Sequence, residues 1–200
     1  LSEVRFLYIP VQAREPQSAD GDTNVSVATD LSWRAGREAV SHEVSLGTDP
    51  NALASAGTVT TTSYDPGTLD LETTYYWQIT EVNEAEAIST WEGSLWSFTT
   101  QDFLVVDDFE SYTDDEGSRI YETWEDGWVN DTGSMVGYIE APFAERTIVN
   151  NGSQAMPLSY DNADFATSEA DFELSQNWTA SGVKTQAIAF HGATDNTGQL

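Results

Sequence analysis

The chain alternates apolar and polar residues with a period of two over one short stretch after another, the pattern of strands half buried in a sheet. VSVATDLSW, SHEVSLGT, GTVTTTSY, TTYYWQITEV and LWSFTT follow one another between residues 25 and 100. Turn formers separate them at Ala35-Gly36, Asp49-Pro50-Asn51 and Asp65-Pro66-Gly67. In TYYWQITEV, Tyr75, Trp77 and Ile79 share one face, and Tyr76, Gln78 and Thr80 the other. The first face is core-directed as far as Ile79, with Glu81 next in line. Short strands at this spacing predict a β-sandwich. An earlier strand, VRFLYIPV, has Pro10 near its end, and REPQSADGD after it has turn and linker chemistry. A second series begins near Gln101, with candidate strands FLVVDDFE, MVGYIEA, RTIVN, QAMPLSYD, SEADFEL and VKTQAIAFHG. No long stretch carries helical periodicity, so the expected fold class is all-β.

Composition narrows the class. Of 200 residues, 39% are hydrophobic and 12% aromatic, enough to build packed cores. With no cysteine there is neither a disulfide framework nor a thiolate metal site. His42 and His191 stand far apart, with nothing spaced around them for zinc. Thirty-four acidic residues face seven basic ones, giving a net charge of −27, and Lys184 is the one lysine. A nucleic-acid partner needs a basic surface, so none is expected, nor is binding to an anionic membrane surface. No run of 18 apolar residues is present, so no membrane insertion is expected. The chain opens at LSEVRFLYIP without an initiator methionine; the expectation is a segment of a longer protein.

Residues 12–100 resemble a fibronectin type III domain. LSW at residues 31–33 matches that family's second strand with its core tryptophan, Trp33. Leu69, Thr73 and Tyr75 match the spaced Leu, Thr and Tyr around its sixth strand, Trp77 and Ile79 continue the inward face, and WSFTT closes the module. A tyrosine at the position of Tyr75 can bury its ring and return its hydroxyl to backbone, a tyrosine corner.

Residues 101–200 resemble the first part of a jelly-roll module of the galactose-binding-like type, the architecture of many carbohydrate-binding modules. The carrying stretches are VVDDFESY, NGSQAMPLSYDN and NWTASGVKTQAIAFHG. The family's closing strand does not follow, yet SEVRFLYIP within residues 1–11 is similar to one. The resemblance implies an array of jelly roll, fibronectin-like spacer and jelly roll, as in large secreted bacterial proteins. An alternative is strand donation between neighbouring copies, building a surface layer, sheath or filament.

The acids of VVDDFESY pose the chemical question. Read as a strand, DDFE puts Asp108 and Glu110 on one face, with Phe109 in the core. The resemblance implies a structural calcium site there, because such modules often hold the ion with acids of their opening and closing strands. Calcium also suits clustered oxygens. Asp114, Asp115 and Glu116 form a second run, expected to be a solvated turn. No G-x-S-x-G motif and no Gly-rich phosphate loop is present, so catalysis is not expected. Sugar rings stack on exposed aromatic faces, and Trp124 and Trp128 in TWEDGWVND, with Tyr138, are the candidates for a polysaccharide or glycan. Four N-x-S/T sequons, at Asn24, Asn130, Asn151 and Asn177, matter only in a glycosylating host. The expected role is a noncatalytic spacer-plus-binding segment of a secreted or cell-surface protein.

Overall fold

The computed structural model describes residues 8–85, 87–173, 177 and 181–192. They fall into two compact units: the first runs to Leu104 and takes in 181–184, and the second starts at Val105 and takes in 185–192. Half of the expected strand VRFLYIPV lies outside the described residues, and Tyr8–Pro10 is irregular. Among the described residues no helix is long and apolar enough to cross a membrane.

The first unit is a sandwich of two sheets. One holds β1 (Arg14–Gln17), β3 (Leu31–Arg34) and β6 (Ser63–Tyr64), in the order β1-β3-β6. The other is built from β2 (Asp22–Val25), β9 (Trp96–Thr100), β7 (Thr74–Val82), β4 (Ser41–Gly47) and β5 (Ala54–Val59), in the order β2-β9-β7-β4-β5. β8 (Thr90–Glu92) also pairs with β7. β2 runs parallel to β9, and the other pairings are antiparallel. The all-β sandwich expected of residues 12–100 is therefore present.

The period-two pattern explains why these strands face as they do. Leu31 and Trp33 point inward while Arg34 faces solvent. Trp77 and Ile79 do the same on β7, and Trp96 and Phe98 on β9. Together with Ala13, Val27, Val44 and Leu69 they form one core. Its centre is aromatic: Trp77 packs against Trp96 at 4.7 Å and against Trp33 at 6.3 Å between ring centroids. Tyr75 stacks on Phe98 at 5.7 Å, and its hydroxyl accepts the Asp70 N–H at 3.1 Å. That is the tyrosine corner, and it ties the β7 entry to the loop before it.

The inward face of β7 does not end at Ile79. Glu81 is fully buried and His42, its cross-strand partner on β4, nearly so. One Glu81 oxygen meets His42 Nδ1, and the other accepts the Gly36 N–H at 2.9 Å. Gly36 sits so close to Val11 that an added Cβ would lie 1.9 Å from the Val11 carbonyl oxygen. Only glycine fits there.

The second unit carries less regular structure. Its strands are β10 (Ser134–Val136) and β11 (Leu158–Tyr160), an antiparallel pair. Isolated bridges join Glu125 to Asp171 and Glu145 to Ala155. Two one-turn helices, α1 (Ile120–Thr123) and α2 (Gly127–Asn130), stand where no helix was expected. The stretches FLVVDDFE, RTIVN and VKTQAIAFHG form no strand. In FLVVDDFE the reason is local chemistry: the Asp107 and Asp108 side chains bond backbone N–H groups two residues on and compete with a sheet ladder. Ile120 and Val136 are the buried anchors of this unit, with Ala144.

Candidate functional site

VVDDFESY is a pair of tight turns rather than a strand, which corrects the face assignment made for it. Asp107 Oδ1 accepts the Phe109 N–H at 2.7 Å, and Asp108 Oδ1 accepts the Glu110 N–H at 3.0 Å. Phe109 takes a positive φ of 63°, so the chain reverses instead of extending. Asp108 and Glu110 thus share a turn, not a strand face.

The acids of this turn have partners, and the partners donate hydrogens. Asp107 Oδ2 accepts the Tyr112 hydroxyl at 2.6 Å and the Trp124 indole N–H at 2.8 Å. Burial, then Asp107, pushes the Tyr112 hydroxyl up to about 12. Glu110 Oε1 accepts the N–H groups of Ser153 at 2.9 Å and Gln154 at 3.1 Å, and Oε2 takes the Ser153 hydroxyl. These bonds, the Ser153 hydroxyl first, hold its carboxyl below the usual glutamate range. Gln154 completes the clamp: its side-chain amide donates to the carbonyls of Phe109 and, at 2.9 Å, Tyr112. Two expected motifs, DDFESY and NGSQ, are therefore one latch.

Calcium requires six to eight oxygens around one point. Among the described residues no group of three or more His, Asp or Glu side chains converges in a way that could hold a metal ion. Both Glu110 oxygens accept hydrogen bonds from N–H and O–H donors. Among the described residues, Asp108 and Glu110 stand in a hydrogen-bonded latch. The second acidic run is not merely solvated either. Asp114 accepts the Phe143 N–H and pairs with Arg146, each at 3.0 Å, while Asp115 and Glu116 are exposed.

The three aromatic candidates separate by environment. Trp124 is internal to the unit: it stacks on Phe172 at 4.7 Å and tilts against Phe109 at 6.0 Å. Its indole N–H is donated to Asp107, one face lies on Phe172, and the side chain is part-buried. Trp128 is 85% exposed. It sits on α2, between two acids that fix the turn. Asp126, 5% exposed, caps the start: Oδ1 accepts the Trp128 N–H at 3.0 Å and Oδ2 the Val136 N–H at 2.8 Å. Asp131 closes it in the left-handed conformation, φ 59°, with its N–H on the Gly127 carbonyl. Gly127 has no room for a Cβ, which would lie 2.0 Å from the Thr132 carbonyl oxygen. Asn130 then fastens the turn to Glu169 and Asp171. Val129 beside Trp128 is also exposed, as is Ile139 beside Tyr138.

Tyr138 is half exposed, and its hydroxyl donates to Glu145. That bond, then the N–H groups of Thr147 and Ile148, holds the Glu145 carboxyl down to about 2, and Glu145 in turn pushes the Tyr138 hydroxyl up. The sign follows. A glutamate whose folded value lies below its ordinary 4.5 stabilises fully above that value, and the contribution fades as pH falls toward about 2. In an NMR titration the Glu145 side chain is expected to stay ionised well below pH 4.5. Tyr138→Phe should return its midpoint toward the ordinary range; a wild-type midpoint already there would refute the contact.

What sequence reasoning missed is the role of the acids as internal acceptors. The signal available was Asp or Glu placed two or three residues before glycine, serine or an aromatic, in DDFE, EDGW and DDEGSR.

No family model and no curated protein matches the chain. Solved structures are similar to about half of the chain. The sixth fibronectin type III domain of human fibronectin type III domain containing protein 3 aligns with a TM-score of 0.40 and 13% identity, over 52% of this chain and 96% of that one. An Fn3-like protein from Clostridium thermocellum aligns with a TM-score of 0.36 and 19% identity, over 49% of this chain and all of its own. A beta-1,2-glucanase from Parabacteroides distasonis aligns with a TM-score of 0.35 and 15% identity, over 51% of this chain and only 14% of the glucanase.

Proposed function

We propose that the chain is a noncatalytic extracellular segment in which the first unit is a spacer. The second unit, the opening part of a jelly-roll module, binds carbohydrate through Trp128. One observation supports this above the others: an indole 85% exposed on a turn pinned at both ends. Burying that face would be favourable, and none of the described residues of its own unit does so, which supports a role as a contact surface. A pyranose ring offers the matching flat C–H face. A net charge of −27 repels uronic-acid and sulfated polymers, so the ligand class is neutral polysaccharide.

Binding to soluble and insoluble neutral polysaccharides tests the reading. Trp128→Ala is expected to weaken binding by about 2 kcal/mol, about 30-fold in Kd, as for a contact-dominating tryptophan. Its melting curve should match the wild type. Trp124→Ala should instead destabilise the second unit by about 2 kcal/mol, because it removes packing rather than a platform. Undiminished binding by Trp128→Ala would sink the proposal. Polymers in sedimentation that Trp128→Ala abolishes would assign the surface to contacts between copies.

A further inference from the structure

We infer that Asn151-Gly152 is a spontaneous modification site that acts as a timer on the Glu110 latch. It is the one Asn-Gly pair in the chain. Asn151 is exposed, and among the described residues neither its side-chain amide nor the Gly152 N–H has a hydrogen-bond partner. The reaction needs both groups free. The Gly152 nitrogen loses its proton to solvent base and attacks Asn151 Cγ. A carbon–nitrogen bond forms, the side-chain carbon–nitrogen bond breaks, and ammonia leaves. The resulting succinimide takes up water at one of its two carbonyls, giving aspartate or isoaspartate. Glycine in second place favours the attack because it has no Cβ to obstruct the nitrogen.

The location gives the reaction its consequence. Gly152 lies against Glu110 so closely that an added Cβ would be 2.3 Å from Oε1. The next two N–H groups, on Ser153 and Gln154, are the ones that hold that carboxylate. Either product places a new negative charge two residues before Ser153 and three before Gln154. Isoaspartate also lengthens the main chain by one carbon at the same point. Both changes act against the Glu110 clamp, so the turn at residues 107–112 comes loose from the NGSQ loop as the protein ages.

The test is to age the whole chain in warm, mildly alkaline buffer, alongside Asn151→Gln. Peptide mass mapping, isoaspartyl methyltransferase labelling and amide hydrogen exchange then follow it. Conversion at Asn151 is expected to outrun every other asparagine. The converted fraction should lose exchange protection at the Ser153 and Gln154 amides. Asn151→Gln should keep both amides protected over the same period. Conversion that is equal or faster at another asparagine overturns the site. Protection that survives conversion overturns the timer.

Discussion

Glu81→Ala is expected to cost the first unit about 2–6 kcal/mol, about 1–3 for each of the two buried polar groups it leaves unsatisfied. Whole domains are stable by only about 5–15 kcal/mol, so most of the margin disappears. The cause is what remains. Glu81 is fully buried on β7, and its carboxylate serves both His42 and the Gly36 N–H. Without it two buried polar groups lose their acceptor among the described residues, and His42 is left against the edge of Trp33, 5.4 Å away. A companion variant isolates the cause. Replacing both Glu81 and His42 by leucine removes the stranded imidazole, and should recover part of the loss. Urea denaturation of Glu81→Leu, His42→Leu and the double variant measures the coupling. A Glu81→Ala midpoint close to wild type would show that the pair is not what holds β4 to β7 at this point.

Trp77→Ala is the second large effect, about 3–5 kcal/mol for removing a buried tryptophan. Trp77 is fully buried, with Trp33, Trp96 and Ile79 in the same core. Both sheets meet on it, so a void there is lined from two sides and neither sheet can move in without unpicking its ladder. Its indole N–H has no acceptor among the described residues. Trp77→Phe should therefore lose much less than Trp77→Ala, because no hydrogen bond goes with the ring. Denaturation followed by tryptophan fluorescence checks both. Equal losses for phenylalanine and alanine would mean that the site depends on the indole itself.

The first unit was readable from sequence because its physics is periodic. LSWR and TYYWQITEV alternate cleanly, and Tyr75 sits where its hydroxyl can reach the Asp70 backbone. Glu81 broke the reading because its partner lies 39 residues away, and a lone charge at a strand end reads as solvent-facing. The second unit resists the same reading. In VVDDFESY and TWEDGWVND the decisive bonds run from acids to backbone N–H groups two residues on, and from Glu110 across 43 residues to Ser153. No periodicity announces such bonds. Trp124 and Trp128 look alike in sequence. What separates them is that Asp107 claims the first indole, while Asp126 takes only the backbone of the second.

The two aspartates that bracket α2 separate the scaffold of that turn from what it displays. Asp126 and Asp131 secure it through main-chain atoms, and Gly127 and Asn130 seat it, so the side chain at 128 adds little to its shape. Position 128 is thus an interchangeable cassette. Other side chains can therefore stand at 128 without the turn beneath being rebuilt.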